Sequence, residues 1–436
     1  MALPVLVAVA GAGWESTLVA ALDSQPGAVR VVRRCVDVAD LLAAASTGQA
    51  RVALLSAHLV GLDVEVVDRL LRAGVQPVGV VTPGSSAEAD QLRRVGVADR
   101  IDIDAIDHIG ALLDGIAPPP AAAVDGTRPA APPLTAEPGS AGASRGRMFA
   151  VWGPSGAPGR STVALTLAGE LAALGGSTLL VDADVYGGSV AQMLAILDES
   201  SGLLAAARAA NTGRLDTQTL ALHARRVTPA LRVLTGLPRA DRWLQLRPAA
   251  FAAVLDAARS LAAFTVVDLS SCLEQDEELS FDTAAPRRNG ATLLALEQAD
   301  EVIAVGAADP VGLARLTRGL VELTEAVPGV TVRVLVNRMR PSLGWTESEV
   351  GATVTRFTGY RRISFLPADP DACDRALVQG RLLCESAPDA RLRRAVRGLA
   401  VDLSGADAAA RRPSGVRRGP GRLRRRTLGS SRAAGS

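Results

Sequence analysis

The residues best suited to chemistry lie in one stretch, Gly153-Pro154-Ser155-Gly156-Ala157-Pro158-Gly159-Arg160-Ser161-Thr162. It is a run of small residues closed by a cation and two hydroxyls. Small residues let backbone N–H groups approach phosphate oxygens, and a helix starting at the end of such a loop adds its positive pole. The phosphate-loop pattern asks for Gly, four residues, then Gly-Lys-Ser/Thr. Gly159 and Ser161 fit its end, whereas Pro154 stands at the first Gly and Arg160 at the Lys. In this reading Arg160 reaches the terminal phosphates and Ser161 holds a magnesium ion. Taken alone, the loop fits an ordinary Gly/Pro turn between a strand and a helix equally well.

The elements around the loop decide more. An apolar strand, Met148 to Trp152, leads into it, and Val163, Leu165, Leu167, Ala168 and Leu171 follow with a helical pattern. Further apolar runs are Ser177–Asp182, Leu231–Thr235, Phe264–Asp268, Val302–Gly306, Val332–Arg338 and Ile363–Pro367. Near-continuous Val, Leu and Ile predict a parallel sheet covered on both faces. Asp182, Asp184 and Asp268 end or follow such strands; any one of them could merely cap a strand end, but their joint placement argues for a shared site. In order and spacing these motifs resemble the MinD/ParA family of ATPases, whose deviant loop reads Lys-Gly-Gly-x-Gly-Lys-Thr/Ser. The resemblance spans roughly 148–403. With the preceding domain described below, it is nearest the CpaE/TadZ branch, including the septum-site-determining CpaE-like proteins of high-GC bacteria.

The resemblance implies an ATP site with Mg2+. Gly156 and Gly159 would keep the loop open, Arg160 would contact the β and γ phosphates, and Thr162 the α-phosphate. Ser161 and Asp268 would hold magnesium, Asp184 would position the attacking water, and Asn337 and Pro367 would flank the adenine. Two departures stand out. Ser155 replaces the family's signature Lys, which crosses to a partner's nucleotide, and a forked guanidinium at Arg160 is no equivalent of an ammonium. ATP binding with weak hydrolysis is therefore expected. The acidic stretch after the Asp268 strand and the following Pro286-Arg287-Arg288-Asn289 read as a solvated, charged loop, the alternative being that Arg287 or Arg288 reaches phosphates as a substitute cation. The resemblance further implies an ATP-dependent homodimer in the cytoplasm, serving division or pilus and secretion machinery. The alternatives are a scaffold that binds no nucleotide and a ParA-like DNA-partition ATPase.

Residues 1–116 alternate strand and helix signals five times, which predicts a doubly wound parallel sheet. The layout resembles a response-regulator receiver. Its chemistry is missing: Ser56 ends the third strand where a phosphoacceptor Asp belongs, and Ala10-Gly11-Ala12 replaces the acidic pair. A docking pseudo-receiver is the expectation. Residues 117–146 are rich in Pro, Ala and Gly and read as a flexible linker. Residues 147–405 form the P-loop domain and 406–436 a disordered Arg-rich tail.

All 47 basic side chains are Arg, and nine of them lie from Arg411 onward without an acid. Such a tail favours anionic membrane surfaces at low salt. It carries no aromatic residue for stacking on bases, so specific nucleic-acid binding is not expected. No apolar run reaches the roughly 20 residues of a membrane helix. The start lacks a basic n-region, so a first strand rather than a leader is expected there. Four scattered cysteines predict ordinary thiols.

Overall fold

The computed structural model describes residues 2–24, 27–114, 145–156, 159–197, 200–274 and 287–405. Most of the predicted linker, the whole predicted tail and the acidic stretch 275–286 lie outside them. Two parallel sheets organise the chain.

The first sheet comprises β1 (Leu3–Ala8), β2 (Val29–Arg34), β3 (Val52–Ser56), β4 (Gln76–Val81) and β5 (Asp99–Asp102), in the order β2-β1-β3-β4-β5. Helices α1 (Glu15–Asp23), α2 (Val38–Ser46), α3 (Val64–Arg72), α4 (Ser86–Arg94) and α5 (Ile109–Asp114) cover it, a 3-10 turn preceding α5. Several helix starts are written in the sequence. Asp37 accepts from the Asp40 N–H at 2.8 Å and Asp63 from the Val66 N–H at 3.0 Å, the side-chain caps that begin α2 and α3. At the carboxyl edge Ser56 is fully buried. Glu88 on α4 accepts from the Thr82 N–H at 2.7 Å and pairs with His58 at 3.0 Å.

The second sheet runs β13-β12-β11-β6-β10-β7-β9-β8. Its first half contains β6 (Arg147–Trp152), α6 (Arg160–Ala173), β7 (Thr178–Ala183), α7 (Val190–Met193), α8 (Gly202–Asn211) and α9 (Thr217–His223). Next come β8 (Arg225–Arg226), β9 (Leu231–Leu234), α10 (Pro248–Leu261), β10 (Phe264–Leu269) and α11 (Gly290–Gln298). The last part holds β11 (Glu301–Ala307), α12 (Pro310–Ala326), β12 (Val332–Met339), α13 (Glu347–Thr358) and β13 (Ile363–Pro367). Then α14 (Pro370–Gln379), α15 (Leu383–Ser386) and α16 (Arg391–Ser404) close the unit. All neighbours pair in parallel except the short β8, which runs antiparallel to β9 and was not foreseen.

The central strand β6 shows how the sheet is buried. Met148, Ala150 and Trp152 enter the core on one face, Phe149 and Val151 the core on the other. This is the two-residue alternation of a strand, with apolar partners on both sides. Helix α6 buries every residue from Val163 to Ala172, so it is apolar nearly all round, as a central helix must be. Just before β6, the Gly146 N–H donates to the Arg259 carbonyl at 2.9 Å.

The two units touch through α3 and the start of α10. Arg247 pairs with Asp63 at 2.9 Å, and the Ala249 N–H donates to Glu65 at 3.2 Å. Among the described residues no helix is long and apolar enough to cross a membrane, and the four cysteines are unpaired.

Candidate nucleotide site

The loop between β6 and α6 sits at the carboxyl edge of the second sheet, flanked by β10 and β11. Its glycines are there for backbone reasons. Gly156 and Gly159 adopt φ of 112° and 87°, values that side-chain-bearing residues avoid. Gly159 has a steric reason as well, since a Cβ there would come within 2.6 Å of Asn337 Nδ2. Asn337, at the end of β12, is thereby brought against the loop. Pro367 is half-buried at the end of β13 and pairs across to Met339, one strand further out. Ala157 and Pro158 lie outside the described residues.

Arg160 opens α6 and turns toward the carboxylates. Its Nη2 lies 2.8 Å from Asp184 Oδ2 and its Nε 3.6 Å from Asp268 Oδ1. Asp184 uses its other oxygen to accept from the Tyr186 N–H at 2.9 Å and the Gly187 N–H at 3.2 Å, folding the turn after β7. Asp182 is the anchor of that turn. One oxygen accepts from the Val190 N–H at 3.0 Å, and Gly188 and Gly236 close over the carboxylate, each too near to carry a Cβ. Asp182 thus serves the loop's shape.

Asp268 differs from both. It is fully buried at the end of β10, and neither of its oxygens is hydrogen-bonded. Burial pushes its pKa up to about 6, opposed by the nearby Arg160 guanidinium and Ser161 hydroxyl. Burial and the neighbouring Asp268 likewise raise Asp182 to about 7. Buried polar groups in native proteins are nearly always partnered, so an orphaned carboxylate beside a hydroxyl at a helix N-terminus fits a cation site. Among the described residues no three His, Cys, Asp or Glu side chains cluster as metal ligands. The protein would offer Ser161 and Asp268, and phosphate oxygens would complete the shell. Thr162 stands on the first turn of α6 and lines a small cleft with Met193, Cys373 and Arg381.

Three residues join the site without having been singled out for it. Tyr186 lies under the Arg288 guanidinium, 3.9 Å from ring centre to Cζ, and its hydroxyl donates to Asn289 at 2.9 Å. Asn289 also donates to the Glu274 carbonyl at 2.8 Å. At 287–289 the expected solvated loop is therefore partly a packed cluster, and Arg288 is engaged with an aromatic face. Arg315 of α12 lies against Gly156. None of the three has a local sequence signal, because strand order alone brings them to the loop.

Residues 146–212 match the ParA family model, described as NUBPL iron-transfer P-loop NTPase. Over this segment the chain is similar to the ParA-type P-loop NTPases. The ParA-like unit is also similar to solved structures. A ParA family ATPase from Chlorobium tepidum is 20% identical, with a TM-score of 0.49, over 58% of this chain and 98% of that one. The septum site-determining protein MinD from Pyrococcus horikoshii, complexed with Mg-ADP, is 16% identical, with a TM-score of 0.48, over 60% and 98%. The MinC:MinD cell division complex from Aquifex aeolicus gives 16%, 0.44, 59% and 96%. No curated protein matches the chain.

Proposed function

We propose that the chain binds Mg2+-ATP between β6 and α6, hydrolyses it weakly, and acts as a CpaE-like positioning protein. Its setting would be septum-site determination or Tad-type pilus and secretion assembly. The observation that carries the reading is the orphaned Asp268 carboxylate, held beside Ser161 at the mouth of a glycine loop. Arg160, released from Asp184, would face the β and γ phosphates, and Thr162 the α-phosphate. Asn337 and Pro367 would flank the base, and Asp184 would orient water. Magnesium would neutralise charge on the phosphates. Weak turnover follows from Ser155 and from Arg160, whose charge is already matched by two carboxylates. An ATP-dependent homodimer, division or pilus partners, and a cytoplasmic location with tail contacts to anionic membrane complete the proposal.

Titration of the full chain with Mg2+-ATP by calorimetry tests it. Binding that Arg160→Ala weakens by about 1.5 to 3 kcal/mol, the worth of a charge-assisted contact, is the expected result. Turnover of about 1 per second or faster would overturn the weak-hydrolysis reading. The pairing of Arg160 with two carboxylates also suits one second reading, a scaffold that binds no nucleotide. Absence of binding at millimolar ATP would select it. ATP-dependent, salt-sensitive DNA binding would instead select a partition ATPase.

A further inference from the structure

The charge balance of the cradle is unfavourable to a triphosphate. Arg160 faces Asp184 and Asp268, with Asp182 behind them, so one cation stands among three carboxylates. A magnesium triphosphate still carries net negative charge, so a second protein cation would add to its hold in a cleft lined by carboxylates.

Helix α12 brings such a charge to the loop. Its start is fixed by Asp309, whose carboxylate accepts from the Gly312 N–H at 2.9 Å, and by Pro310 in the first turn. One turn further on, Arg315 reaches back over the loop. Its Nη1 lies 3.5 Å from the Ser155 carbonyl oxygen. A Cβ on Gly156 would come within 2.3 Å of the same nitrogen, so the guanidinium rests directly on the glycine backbone. The side chain is exposed, and no carboxylate among the described residues pairs with it. A weak carbonyl contact leaves most of its donors available, and a planar guanidinium matches two phosphate oxygens at once.

We propose that Arg315 is a phosphate-binding residue of this site, adding from α12 a second positive charge to that of Arg160 and contacting the terminal phosphate of a nucleoside triphosphate. The inference rests on the nucleotide reading of the loop and names the residue that distinguishes triphosphate from diphosphate.

The test is calorimetric titration of the full chain, wild type, Arg315→Ala and Arg315→Lys, with Mg2+-ATP and Mg2+-ADP. Arg315→Ala should weaken ATP about tenfold or more, as loss of a charge-assisted contact does, and ADP by less than about threefold. Arg315→Lys should retain most of the ATP affinity. The melting temperature should stay unchanged because the side chain is exposed, which separates binding from folding. Equal ATP affinity in wild type and Arg315→Ala would overturn the assignment, as would equal weakening of ATP and ADP. If the wild type binds neither nucleotide, the reading of the loop itself fails and takes this inference with it.

Discussion

At the scale of single residues the site is defined by how each carboxylate is treated. Asp184 is hydrogen-bonded and ion-paired, Asp182 is clamped by backbone, and Asp268 is buried without a hydrogen bond, with the Arg160 guanidinium 3.6 Å away. Asp182 and Asp268 titrate near 7 and 6, above the ordinary carboxylate range of the unfolded chain. The native state therefore holds more protons than the unfolded state between about pH 4 and 7. Their contribution to stability is complete below that window and is lost as pH rises through it. The metal-free protein should thus melt at lower temperature at about pH 7.5 than at about pH 5. A cation requires the ionised carboxylate, so Mg2+-ATP should raise the melting temperature more at the higher pH. Asp268→Asn should flatten the fall and remove the Mg2+ response. Thermal scans across the pH series check all three outcomes. A second residue-scale expectation concerns Gly159. Its positive φ and its contact with Asn337 mean that Gly159→Ala should destabilise the unit by about 1 kcal/mol or more, read by urea unfolding, and weaken ATP as well.

At the scale of elements, α6, the helix that follows the loop, is held by α16. Glu170 is fully buried on α6 and meets Arg393 at 2.7 Å and Arg397 at 3.2 Å, both from α16. Removing both cations with Arg393→Ala/Arg397→Ala strands a buried charge and should cost about 3 to 5 kcal/mol in denaturant unfolding, the double change exceeding either single one. Much of this layer was legible beforehand. The apolar runs from Met148 to Pro367 gave the parallel strands, because both sheet faces are buried and leave long Val and Leu stretches. The loop, Asp268 and Asn337 could be picked out because each ends such a run. The Glu170–Arg393 pair was hidden, since the partners are 223 residues apart and a Glu in an apolar helix gives no sign of its counterion. The antiparallel β8, two arginines long, has no periodicity to read. Arg315 and Tyr186 reach the site only through the order β12-β11-β6-β10-β7, which spacing along the chain does not encode.

At the scale of the whole molecule, two doubly wound units share one chain. Among the described residues, the carboxyl edge of the first holds a buried Ser56, and its Glu88 is committed to Thr82 and His58. Incubation with a small phosphodonor should leave its intact mass unchanged, and a phosphorylated adduct would contradict that. The contact between the units has a further consequence. Helix α10 has Arg247 and Pro248 at its start and no side-chain cap of its own. Glu65, from the other unit, accepts the Ala249 N–H that such a cap would serve. Glu65→Ala should lower the stability of the ParA-like unit by about 1 kcal/mol in thermal unfolding of the full chain, although residue 65 lies outside that unit. Helix α10 packs in turn on α11 and on the strand that ends in Asp268. A terminus completed by a neighbouring body works as a thermodynamic joint: if nucleotide binding at the proposed site tightens α10, it tightens the grip on Glu65 by the same free energy, and a partner that pulls the first unit away then weakens nucleotide binding equally.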